Sequence, residues 1–151
     1  MPIFLPEYIC SRVYRAPELV MGCESYTEKI DVWSAGCVMM EMLLMRPLFP
    51  ARNNENLLTH MERLLGDLDE KEKWKLKDGV ITGEPAMVKK KYSLERLVKN
   101  SATVTHELID LLHKIFQWDP QLRISSKDAI NHSYFKSSSS QVVLSMNDFK
   151  F

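Results

Sequence analysis

The chain has 151 residues, 45% of them hydrophobic and 26% charged, the balance of a soluble globular domain long enough to bury a core. Twenty basic and twenty acidic side chains cancel to a formal net charge of zero, so no global field draws it to nucleic acid or to a membrane surface. The opening MPIFLPEY lacks a basic n-region and an apolar h-region and does not read as a signal peptide. The longest apolar stretch, Ala35 to Met45, contains Glu41 and is shorter than the roughly 20 residues of a membrane span. Cys10, Cys23 and Cys37 show no C-x-x-C spacing and read as reduced thiols of an intracellular protein, in the cytoplasm, the nucleus or both.

Residues 1–30 read as irregular loop, because Pro2, Pro6 and Pro17 oppose a continuous helix and Gly22 marks a turn. Asp31 to Met45 predicts a helix whose apolar residues cover nearly every face, which implies burial on all sides. Asp31 suits its positive N-terminal end, and Pro47 stops it. Asn54 to Leu65 predicts a second helix with Leu57, Leu58, Met61, Leu64 and Leu65 on one face and Gly66 as its stop. Residues 67–104 are mixed: Asp67, Asp69, Glu70 and Glu72 form an acidic patch, Lys89-Lys90-Lys91 a basic one, and Ser93 to Val98 one short helix. Leu108, Leu111, Leu112 and Ile115 repeat at helical spacing. Ser125 and Asp128 make a capping-box pattern that opens a last helix through Asn131. From Ser137 the chain is serine-rich and is predicted to be mobile. The fold class is all-α, divided into a loop region 1–30, a helical body 31–136 and a tail 137–151. His60, His106, His113 and His132 are scattered and match no metal pattern.

Two stretches carry a resemblance. Tyr8 to Leu48 reads YICSRVYRAPELVMGCESYTEKIDVWSAGCVMMEMLLMRPL, and WDPQLRIS surrounds Arg123. The first strongly resembles the end of the activation segment and the following helix of a CMGC-group serine/threonine protein kinase. The glycogen synthase kinase and MAP kinase branches look closest. Ala16-Pro17-Glu18 matches the family's A-P-E motif, and the Arg123 motif matches the site of its distant arginine partner. The resemblance covers roughly Glu7 to Phe135 and is weak between Gly66 and Thr105. It implies a partial kinase C-lobe.

The resemblance also implies roles. Glu18 and Arg123 form an ion pair in which a planar guanidinium grips a carboxylate with two bonds. Asp31, Trp33, Val38 and Met42 anchor the helix. Trp33 packs beneath the A-P-E loop, Val38 and Met42 belong to a hydrophobic spine, and Asp31 is a buried acceptor left short of donors because the catalytic loop is absent. Read from composition alone, Val38 and Met42 are simply core. Ser11, Arg12, Tyr14 and Arg15 continue the substrate-positioning loop. Tyr8 occupies an activation-loop phosphorylation position, with Arg12 and Arg15 near enough in sequence to fold back on its phosphate. Val13 departs from the family, which carries an aromatic residue there.

The sequence contains no glycine-rich loop, no V-A-I-K lysine, no H-R-D and no D-F-G. Those groups hold the phosphates and magnesium in phosphoryl transfer. The parent family uses ATP and Mg; this chain is expected to hold no cofactor and no metal, and to be inactive, as a truncated or degenerate copy. The family implies protein substrates, and the zero net charge and short apolar stretches lead to an expectation of no nucleic acid and no membrane partner. A rival reading is a stand-alone interaction module that offers Asn54–Leu65 and the following segment to a scaffold or kinase partner.

Overall fold

The computed structural model describes residues 11–23, 25–66, 92–99, 101 and 103–138. Every regular element among them is helical. The first elements lie inside the stretch expected to be irregular: a 3-10 turn at Arg12–Tyr14 and one α-helical turn, α1, at Pro17–Val20. Pro17 starts α1 rather than preventing it. The first helical position has no intrahelical N–H bond to lose, and the proline ring presets φ.

Helix α2 spans Lys29–Leu44 and carries Asp31 in its first turn. It ends before Pro47 is reached. Met45 takes the left-handed conformation, φ 54° and ψ 28°, and its N–H closes on the Glu41 carbonyl at 2.8 Å. Val32, Trp33, Gly36, Cys37 and Met40 are buried. Asp31, Ala35, Val38, Met42 and Met45 are exposed. The expectation of burial on all sides therefore fails along one face. Those positions follow the spacing of a single helical face, while the described neighbours of α2, namely the 3-10 turn and two later helices, pack on its other sides.

Helix α3 spans Asn54–Leu65, between an Asn53 side-chain cap and Gly66 at φ 94°. Helix α4 covers Leu94–Val98 and α5 covers His106–Ile115, capped by Ser93 and Thr105. Helix α6, Ser126–Ile130, opens on Ser125, whose hydroxyl accepts the Asp128 N–H at 3.0 Å and donates to the Asp128 carboxylate at 2.6 Å. A further helix, α7, runs Ser133–Ser138, so the helical body continues past the stop expected at Asn131. The acidic patch, the lysine run, Cys10, Tyr8 and the tail beyond Ser138 lie outside the described residues.

The core is built around Trp33, which is fully buried. Phe49 stacks on it at 5.8 Å, and Phe116 meets it edge-on at 5.1 Å. Helix α5 buries Leu108, Leu111, Leu112 and Ile115. It contacts α2, α4 and α7, while α1 contacts α3. Leu57, Leu58, Met61 and Leu64 of α3 are buried, so the apolar face that the interaction-module reading would offer to a partner is already occupied. The amphipathic pattern that suggested a docking helix is the pattern of a helix closing its own core. Among the described residues no helix is long and apolar enough to cross a membrane.

Candidate functional site

The short loop and α1 at the chain's start are held to the helical body by one buried cluster. Arg123 Nη1 donates to Glu18 Oε1 at 2.7 Å and Nη2 to Glu18 Oε2 at 2.9 Å. The same nitrogens reach the carbonyls of Lys29 at 2.9 Å and Gln117 at 3.1 Å. The Lys29 ammonium donates back to the Arg123 carbonyl. The guanidinium lies over the Trp33 ring, 5.1 Å from its centroid. A flat cation between a carboxylate and an indole face receives both bidentate and cation–π stabilisation. Among the described residues, Arg123 Nε and Trp33 Nε1 have no hydrogen-bond partner. Burial, with the Glu18 carboxylate nearby, pushes the Cys23 thiol upward.

A second set of bonds lays the 3-10 turn along α2. The Tyr14 hydroxyl donates to Glu41 Oε2 at 2.8 Å. That bond, with burial next, pushes the phenol pKa upward. Ser34 Oγ points between the Tyr14 carbonyl at 2.9 Å and the Ile30 carbonyl at 3.1 Å. Arg12 donates to the Arg52 carbonyl in the loop before α3. Ser11 is exposed and Arg15 is half-buried. Tyr8 lies outside the described residues, so no phosphate position is defined beside Arg12 and Arg15.

Glu18, Arg123 and Trp33 thus come together, and Ser11, Arg12, Tyr14 and Arg15 lie on the same strip. Three expectations need correction. Val38 is 46% and Met42 66% exposed, so neither is core; they sit on the face of α2 that no described element covers. Asp31 shares that face and is exposed. It is not a buried acceptor short of donors, because solvent reaches its oxygens.

Two features were not read from sequence. Lys29 belongs to the Arg123 cluster, through backbone and side chain together, and only folding brings residues so distant in sequence into contact. The other is a polar cluster at the base of α7. Asp110 Oδ2 accepts from Lys114 Nζ at 2.7 Å and from buried His132 Nε2 at 2.9 Å. His132 Nδ1 accepts the Tyr134 N–H at 3.3 Å, and Lys114 Nζ lies 3.1 Å from His132 Nε2. The hydrogen bonds from Lys114, first, and from His132 hold the Asp110 carboxyl below its usual range. The spacing of Asp110 and Lys114 was a visible signal; the approach of His132 was not.

No three His, Cys, Asp or Glu side chains converge on a possible metal position among the described residues.

Residues 4–135 match the protein kinase domain. The chain is 40% identical over 136 residues to the probable serine/threonine-protein kinase glkA of Dictyostelium discoideum, covering 85% of this chain and 27% of the relative. It is 38% identical over 140 residues to mitogen-activated protein kinase 10 of Arabidopsis thaliana, covering 88% and 33%. It is 39% identical over 128 residues to protein kinase gsk31 of Schizosaccharomyces pombe, covering 85% and 33%. The solved MAP kinase LmaMPK10 from Leishmania major superposes with a TM-score of 0.75 at 31% identity, over 84% of this chain and 37% of that one. The chain spans a third or less of the length of the curated relatives it matches. It belongs to the protein kinase family, as a segment of the helical C-lobe from the glycogen synthase kinase and MAP kinase side of the CMGC group.

Proposed function

We propose that the parent activity is transfer of the γ-phosphoryl of ATP to serine or threonine of protein substrates, and that this chain supplies the substrate-side shelf and its scaffold. By itself it holds no ATP and transfers no phosphate. One observation carries the reading. The Tyr14–Glu41 and Ser34–Tyr14 bonds pin the Ser11–Arg15 strip to α2 next to the Glu18–Arg123 cluster, while the Asp31, Val38 and Met42 face of the same helix stays open. A shelf for substrate is built on one side of α2, and an apolar face suited to the rest of a kinase domain is left on another. An intracellular place, in cytoplasm or nucleus, is supported by Cys23 and Cys37, which are thiols rather than a disulfide.

Two experiments test this. In calorimetric titration with ATP and magnesium, and in a transfer assay on a generic serine peptide, the purified chain gives no saturable heat and no turnover above a no-protein control. Either signal overturns the inactive part of the reading. A chimera in which this chain replaces the matching segment of the fission-yeast kinase gsk31 retains peptide phosphorylation. A folded chimera without activity overturns the scaffold part. The interaction-module alternative through Asn54–Leu65 has lost its main support, because that helix's apolar face is buried.

A further inference from the structure

Between the C-terminal end of α2, the loop to α3, α3 itself and α4 lies a cavity of about 160 Å³. Its walls are apolar: Leu44, Leu48, Phe49, Leu64 and Leu97. Its shape follows from the left-handed turn at Met45, after which Leu48 and Phe49 fold back into the core. Arg46 and His60 also line it, and among the described residues no acidic side chain does. Arg46 is exposed and makes no hydrogen bond or ion pair among the described residues. His60 is half-buried, and burial, with the Arg63 charge second, lowers its pKa, so near neutral pH it is an uncharged donor and acceptor.

The volume excludes a nucleotide or a drug-sized ligand, which needs roughly 300 Å³ or more. It suits a single ring, since an apolar cavity of about 150 Å³ takes up benzene. One buried anchor beside a charged rim is the pattern of a protein-recognition hot spot. We propose that this cavity docks a short segment of a partner protein carrying one phenylalanine- or leucine-sized side chain next to an aspartate or glutamate. The apolar side chain fills the cavity, and the neighbouring carboxylate meets the Arg46 guanidinium at its mouth. The sign of the rim selects the partner: acidic flanks are attracted, whereas basic flanks face like charge. None of the residues lining this cavity belongs to the Arg123 cluster or the Ser11–Arg15 strip, so docking is separable from phosphate transfer.

The probe is a fluorescein-labelled peptide, Ser-Glu-Phe-Asp-Ser, titrated against the full 151-residue chain by fluorescence polarisation. Saturation is expected with a Kd on the order of 0.1–1 mM, the range of a single-anchor contact. Replacing the peptide's phenylalanine by alanine abolishes binding, and replacing both acids by lysine weakens it roughly fivefold. Arg46→Glu reverses the preference between acidic and basic peptides. Leu97→Trp fills the cavity and blocks both; the peptide substitutions probe the same contact without altering the protein. No saturation to about 5 mM, far beyond the range of such contacts, overturns the proposal. So does equal binding of the alanine or the lysine peptide. A second copy of this chain as occupant would appear as self-association that the acidic peptide does not compete, and that outcome overturns it as well.

Discussion

Arg123 is a full charge with no exposed side-chain surface, yet Glu18, Lys29 and Gln117 supply an acceptor for each bond its terminal nitrogens make. Breaking such a pair strands the other charge in the interior. Arg123→Ala is therefore expected to lower unfolding stability by about 3–5 kcal/mol, read from urea melts. Arg123→Lys recovers little of it, because an ammonium has no planar fork to match Glu18. A variant that melts like the parent refutes the cluster's role. Glu95 offers a pH test. Its hydrogen bond from His113, first, and its own backbone N–H, second, lower its pKa from the ordinary 4.5 to about 2. A depressed carboxylate stabilises the fold above its unfolded pKa and loses that contribution as pH falls from 4.5 through about 2. Both side chains are about half exposed, 54% and 49%, so the effect on stability is small and a carboxyl NMR titration is the sensitive readout. In His113→Ala the Glu95 midpoint returns toward 4.5; an unmoved midpoint excludes His113 as the cause.

At the scale of elements, α2 and α5 meet where Gly36 has no side chain. A Cβ there would lie 2.5 Å from Ile115 Cγ2 and 3.1 Å from Phe116 Cζ. Alanine gains about 1 kcal/mol of helix propensity. Overpacking costs about 1–3 kcal/mol. The close group is a methyl on a branched, buried side chain, not the end of a flexible one, so overpacking wins. Gly36→Ala is expected to lower the thermal midpoint, and an unchanged or higher midpoint would show that α5 yields. Helix boundaries were largely legible. Asn53, Ser93, Thr105 and Ser125 each accept the N–H three residues on, and polar caps are a local signal. The end of α2 was less legible, because Met45 carries no glycine-like mark of a left-handed residue. Helix α7 was missed because its ordering depends on a neighbour: the His132 ring just before it binds Asp110 of α5.

For the whole molecule, the decisive feature is the open apolar face of α2. Val38→Glu with Met42→Lys is expected to change stability by no more than about 0.5 kcal/mol, as exposed substitutions do, and to suppress concentration-dependent association in sedimentation. If both positions were core, two buried charges would unfold the chain. The amino-acid sequence by itself determined the all-α class and the longer helices within the described residues, though not α1 or α7, and through the family motifs it named both halves of the Glu18–Arg123 pair. These rest on short-range periodicity, caps and compact motifs, which need only neighbours in the chain. Tertiary structure alone decided which faces are covered. The apolar runs of α2 and α3 look alike as strings of Leu and Met, but Leu57 and Met61 end inside the core while Val38 and Met42 face solvent. Burial is a property of what packs opposite a face, and that is a contact between residues far apart in the chain, which no local pattern encodes.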